Sequence, residues 1–222
     1  MLRQFPSEGA YVPRHALLIR ERVTPSIGWF NMEIKDVFGN LPTLETARLL
    51  LRKMSHDDAP DLFEYASDPE VAKYTTWSTH QSLQDSRDFL RSTVEQYEMQ
   101  AIASWGIVYK GNSKFIGTCG FISWSPHHAR AEVAYALSRK YWGQGLMTEA
   151  VRAVIAFGFC TMQLNRIQAI CEIENVASAR VMEKVGMTFE GKLREYMFFK
   201  EHYRNLKMYS ILRGEWKARL SQ

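Results

Sequence analysis

The chain has 222 residues, long enough for one large domain and short for two. Hydrophobic residues make up 46% and charged residues 23%, so a core can form without a disulfide or metal staple. Lys and Arg total 28 against 24 Asp and Glu; a net charge of +4 is weak for a nucleic-acid stripe but suits a small anionic ligand.

The cysteines, Cys119, Cys160 and Cys171, are odd in number and form no CxxC pair, which points to a reduced, intracellular chain. The six histidines show no metal spacing; His127 and His128 are adjacent and would point to opposite faces of a strand. No apolar run approaches the roughly 20 residues of a membrane span. Ala16-Leu17-Leu18-Ile19 is too short for a signal-peptide core. We therefore expect a cytoplasmic protein with no metal, no membrane contact and no nucleic-acid partner, as monomer or homodimer.

Residues 1–43 hold four of the seven prolines and no sustained periodicity, and read as an N-terminal extension, partly loose. From there the pattern sharpens. Arg48 to Arg52 reads as a strand. Asp57 to Ala66 reads as a helix capped by Ser55 and ended by Asp68-Pro69. A second helix is expected from about Leu83 to Gln100. Strands follow at Trp105–Tyr109 and Phe115–Trp124, joined by the turn Lys110-Gly111-Asn112-Ser113. Ala131 to Ser138 alternates as a strand. A Gly-punctuated loop leads into a helix with Met147, Val151, Val154, Ile155 and Gly158 on one face. A strand at Leu164–Cys171, a helix at Val176–Val185 and strands at Phe189–Phe199 and Leu206–Leu212 close the domain. Residues 44–213 thus form one α+β domain, a three-layer arrangement around a central sheet, with 214–222 as a C-terminal tail.

The loop Lys140-Tyr141-Trp142-Gly143-Gln144-Gly145 carries the most chemical information. Glycines admit a ligand close to the backbone, and a helix start offers unpaired N–H donors and partial positive charge. Together they suit a pyrophosphate, with Lys140 adding a full charge. A Rossmann fingerprint is excluded because Thr148 stands where its third glycine belongs, and no Walker A pattern exists. What remains is the acetyl-CoA loop [RQ]-x-x-G-x-[GA], here with Lys140 first; a GxG alone is also compatible with a plain tight turn.

Four blocks occur in family order. They are Leu44-Glu45-Thr46-x-Arg48-Leu49-x-Leu51-Arg52, Ala131-Glu132-Val133-Ala134-Tyr135-Ala136-Leu137, Tyr141 to Ala150, and Asn175-x-x-Ser178-x-x-x-Met182-Glu183-Lys184-x-Gly186-Met187. With them the chain resembles the GNAT-fold N-acetyltransferases of the RimJ/RimL type. Lys140 and Met187 depart from the family pattern, which usually has Arg or Gln, and often Phe, at these places.

The resemblance implies a mixed, mostly antiparallel sheet flanked by helices, and direct acetyl transfer from acetyl-CoA to a primary amine. The acceptor it implies is a protein N-terminal amine, or alternatively a polyamine, drug or metabolite; a non-catalytic CoA-binding module is the other alternative. It implies that Leu137, Ser138, Lys140, Gly143, Gln144, Gly145, Leu146, Met147, Thr148 and Asn175 contact the cofactor. Glu132 becomes the candidate base, beside the reading of a structural salt bridge. Ser178 becomes the candidate acid or thiolate partner, because Met182 replaces the tyrosine many relatives carry; plain helix capping is its competing reading. Backbone N–H groups near Ala136 to Ser138 would bind the thioester oxygen. Tyr74, Trp77 and Tyr196 are expected on the acceptor side. Cys119 and Cys171 read as core residues.

Overall fold

Apolar residues alternate along Ala131–Leu137, and this segment becomes a central strand of the sheet. In a computed structural model, which describes residues 32–221, it lies in strand β5 (Arg130–Leu137). The other strands are β1 (Leu44–Glu45), β2 (Leu49–Arg52), β3 (Trp105–Tyr109), β4 (Lys114–Ser125), β6 (Arg166–Glu172), β7 (Thr188–Phe199) and β8 (His202–Leu212). They form one sheet in the order β1-β2-β3-β4-β5-β6-β8-β7. Every pairing is antiparallel except β5 with β6.

A parallel pair needs a crossover, and helix α5 (Leu146–Cys160) supplies it. The other helices are α1 (Ile34–Phe38), α2 (Ala59–Ala66), α3 (Pro69–Ala72), α4 (Leu83–Glu98), α6 (Val176–Lys184) and α7 (Arg213–Leu220). Residues of α2 and α4 pack over Thr118 and Ala136 on one face. Helix α5 covers the other, where Phe157 meets Trp105 edge-on at 5.2 Å. Gly158 lets α5 sit close: a Cβ there would come within 2.8 Å of Ile167 and Phe121 side-chain atoms. Trp105 is fully buried and its indole N–H donates to the Pro42 carbonyl at 2.6 Å.

The β5–β6 pairing covers three positions, Arg130–Arg166, Ala131–Ile167 and Glu132–Gln168. Beyond Glu132 the two strands part, while β6 stays paired with β8 to Glu172. A gap therefore opens in mid-sheet, facing the start of α5.

Several elements differ from the sequence expectation. The first helix begins with a 3₁₀ turn at His56–Asp58, held by a capping box between Ser55 and Asp58, and is α-helical only from Ala59. Asp68-Pro69 ends one helix but also starts α3: Asp68 caps the Glu70 amide and Pro69 takes the first helical position. The helix expected to Gln100 ends at Glu98, and Gln100 has φ +55°. The extension expected at 1–43 lies outside the described residues up to 31. From 34 onward it is packed, with Val37, Phe38 and Leu41 in the core. The expected tail is helix α7, whose Trp216 ring packs on Phe159 at 5.2 Å.

At the sheet's far edge Arg166 grips Glu190, which also accepts from Ser210. The guanidinium hydrogen bond holds the Glu190 carboxyl down from 4.5 to about 2. A depressed carboxylate stabilises the fold above its unfolded pKa, and that gain is lost as pH falls from about 4.5 through 2. Glu190→Gln should lower Tm by about 2 °C at pH 7, given the partial exposure of the pair, and leave it unchanged at pH 2. Thermal unfolding across that range checks this.

Candidate active site

Strand β5 ends at Leu137, a 3₁₀ turn covers Arg139–Tyr141, and the chain then passes through Gly143 and Gly145 into α5. Both glycines have positive φ, +74° and +76°, a conformation that side chains resist. The first helical hydrogen bond runs from the Glu149 amide to the Gly145 carbonyl. The amides of Leu146, Met147 and Thr148 are thus helix-start donors without helical partners. All three side chains are buried, so these residues offer backbone to the loop. The result is a nest of N–H groups at the positive end of a 15-residue helix.

Lys140 does not join this nest. Its ammonium is bonded to Glu64 of α2, which it draws below the usual carboxylate range. A different charge fixes the loop. The Arg48 guanidinium donates to the Gln144 carbonyl at 3.0 Å and to Glu149 at 2.7 Å. Glu149 also accepts from the Thr46 hydroxyl and the Arg48 amide, and these bonds keep its carboxyl low although burial opposes them. Gln144 reaches back to the Lys140 carbonyl. The segments around Thr46-x-Arg48 and Thr148-Glu149-Ala150 are therefore two halves of one clamp.

The gap beside β5 has its own donors. The Ser138 amide is spent on the Ile116 carbonyl at 2.8 Å, inside the sheet. Donors alternate along an antiparallel strand, so the amides of Val133, Tyr135 and Leu137 turn away from β4; the Glu132–Gln168 pairing uses that of Val133, and those of Tyr135 and Leu137 face the gap. The Leu137 carbonyl, which accepts from the Trp142 indole at 2.7 Å, shows that orientation. The expected donor region narrows to Leu137, and the Ser138 amide drops out.

Across the gap stands the start of α6. Asn175 Oδ1 accepts from the Ser178 amide at 3.0 Å, a true N-cap. The Ser178 hydroxyl lies 2.9 Å from the Tyr135 hydroxyl, which also donates to the Ser178 carbonyl. Tyr135 was not anticipated. Met182 is buried, as its apolar side chain demands. Burial pushes the Cys171 thiol up to about 11 and raises Cys119 further, which fits packing rather than nucleophilic roles.

The opposite face of β5 carries Glu132, whose carboxylate accepts from Gln168 of β6 at 3.0 Å and makes no ion pair with Arg130 or Lys140. Further along, Ala136 and Thr118 floor a cavity of about 20 Å³ walled by Tyr65, Trp77, His80 and Phe89. His80 bonds Ser86, and burial lowers its pKa, so it is neutral at pH 7. Trp77 thus belongs to this wall. Tyr74, three residues earlier, lies under the Lys73 ammonium. Tyr196 is exposed on β7 beside Lys192, Arg194 and Asn205, apart from the cavity. Beyond Gln168 on the same face, Glu172 is buried, and its Oε1 has no hydrogen-bond partner.

Comparison with known proteins agrees with this geometry. The model of the acetyltransferase (GNAT) domain matches residues 48–188. The uncharacterized N-acetyltransferase p20 of Bacillus licheniformis is 37% identical over 177 residues, 79% of this chain and 99% of that protein. YoaA of Bacillus subtilis is 32% identical over 78% of this chain and 97% of its own length. A GNAT-family acetyltransferase from Bacillus anthracis, 30% identical, superposes with a TM-score of 0.70 over 78% of this chain and 99% of the other. The chain belongs to the GNAT acetyltransferase family. It is an acetyl-CoA-dependent N-acetyltransferase with relatives in the RimJ/RimL-like branch.

The clamp can be tested apart from the chemistry. Glu149→Gln and Arg48→Met should each raise KM for acetyl-CoA about tenfold and leave kcat within threefold, because they loosen the loop without touching the reacting atoms. Steady-state kinetics separate the two parameters.

Proposed function

We propose that this enzyme transfers acetyl to a protein N-terminal amine by direct attack on acetyl-CoA. One observation carries the reading: the donor-rich start of α5 and the amide of Leu137 open onto the same gap. A pyrophosphate at Gly143–Thr148 then sends the pantetheine arm down the gap toward Leu137. The Leu137 N–H receives the thioester oxygen, whose charge grows in the tetrahedral intermediate. Asn175, with its Oδ1 used in the cap, offers its amide nitrogen to the arm. Ser178 faces the departing sulfur, a thiolate near pKa 8.5 that needs little help to leave.

An α-amino group has a pKa near 8 and must lose a proton before it attacks. Glu132 is the carboxylate that draws this proton away. It stands five residues before Leu137, about 17 Å of strand, so water carries the proton to it.

The relatives support two acceptor classes. YdaF of B. subtilis, named as a candidate ribosomal N-acetyltransferase, is 30% identical over 116 residues. The spermidine N(1)-acetyltransferase of Escherichia coli is 31% identical over 91 residues, 41% of this chain and 49% of that protein. The stretch Val71–His80 beside the cavity has no acidic residue, which disfavours a polycation.

Release of CoA from acetyl-CoA, measured across peptides with free N-termini, spermidine and an aminoglycoside, should show highest turnover with a peptide. Turnover with none would contradict the enzyme reading. Glu132→Gln should lower kcat about tenfold or more and preserve the rise in Tm that CoA produces.

A further inference from the structure

Glu132 pairs with Gln168 in the parallel register, and both side chains lie on the acceptor face. Four residues further on, Ala136 and Glu172 stand level on the two sides of the gap, because parallel strands rise together. Side chains alternate along β6 without a bulge in its pairing to β8, so Glu172 shares the face of Gln168. Glu172 is therefore level with the strand position next to Leu137, where the thioester is placed. It is 5% exposed, and its Oε1 lacks any partner.

Its neighbour has the complementary defect. Arg204 of β8 approaches the other carboxylate oxygen at 3.4 Å, a loose contact, and its own Nε is buried and unpartnered. The guanidinium lies over the Phe199 ring at 5.3 Å, which fixes its plane. Buried donors and acceptors are rarely left unmatched. Here one orphan acceptor and one orphan donor lie side by side at the height of the reaction. The remaining charges nearby are Glu174, just after β6, and Lys200 at the tip of the β7–β8 hairpin, whose ammonium bonds the Ala72 carbonyl of α3.

We propose that Glu172 and Arg204 bind the first residue of a peptide acceptor, Glu172 Oε1 taking its amine N–H and Arg204 Nε donating to its carbonyl. The inference rests on the acetyl-transfer reading above and names the residues that choose the acceptor. An N-terminal residue presents a donor and an acceptor three bonds apart, which matches the orphan pair. A polyamine presents donors alone, and Lys200 and Arg204 repel its further charges. The amine enters as an ammonium, and one proton passes first to Glu172 and then through water to Glu132. The nitrogen then attacks, the C–N bond forms, and the C–S electron pair leaves on CoA. A second nitrogen proton ends on that thiolate, giving a neutral amide, CoA thiol and one released proton. Burial lifts the Glu172 carboxyl above its ordinary range, which strengthens it as a proton acceptor.

The test compares an Ala-initiated tetrapeptide amide, butylamine and spermidine on the full chain and on Glu172→Gln, Glu172→Asp and Arg204→Met. The wild-type protein should prefer the peptide. Glu172→Gln should lose about 100-fold in kcat/KM for the peptide and flatten the acid limb of kcat. KM for acetyl-CoA and the CoA-induced Tm rise should stay within twofold of wild type. Glu172→Asp should recover part of the loss, and serves alone if the Gln variant does not fold. Arg204→Met should lose about tenfold with the peptide and nothing with butylamine, which has no carbonyl. Variants within threefold of wild type, equal losses for peptide and butylamine in Arg204→Met, or a wild-type preference for spermidine would each overturn this assignment but leave acetyl transfer standing. Absence of wild-type turnover with all three would remove both.

Discussion

The active site depends on one interrupted pairing. Strands β5 and β6 run parallel and meet at only three positions before they part. A backbone edge inside a sheet is costly to leave bare, since each N–H facing the gap would otherwise bond a neighbour. Here the edge is kept open where α5 starts. Crossover helix and gap have a common cause: a parallel pair requires the helix, and the helix start falls where β5 ends. The cradle, the amide of Leu137, Ser178 and Glu172 all take their positions from that arrangement.

Around this opening the protein spends its charges on holding backbone in place. Arg48, Thr46 and Glu149 pin the loop at Gln144. Lys140 ties the 3₁₀ turn after β5 to Glu64 of α2. Arg139 does the same through Asp68 at 2.6 Å. None of these exposed pairs adds much stability alone. Their value lies in geometry, because backbone donors act on a ligand only when they are already aimed at it. The net charge of +4 says nothing of this, since the relevant cations are paired within the chain.

Much of the fold was legible because long periodic segments announce themselves. The alternation at Val133, Tyr135 and Leu137, and the apolar face of Met147 to Gly158, both matched the strands and helix found. Short elements did not. Helix α1 has five residues and α3 four, too few for a period to show. Their stability comes from caps and from burial of Val37, Phe38 and Val71. Within the site, the loop glycines and the Asn175 cap were readable because their constraints are local. The role of Lys140 was not, because its partner Glu64 lies 76 residues away. Glu172 gave no signal either: a glutamate shortly before a helix cap resembles any surface acid, and only the fold reveals its burial. Tyr135 could have been found, since an aromatic hydroxyl on a buried strand face requires a partner.

Acetyl-CoA is proposed to enter the β5–β6 gap with its pyrophosphate on the start of α5. A crystal structure with CoA bound is the decisive measurement. Pyrophosphate oxygens should lie within hydrogen-bond distance of amides between Gly143 and Thr148, the pantetheine arm between β5 and β6, and the sulfur near Ser178. A pyrophosphate held elsewhere, or an arm that leaves the gap unfilled, would contradict it.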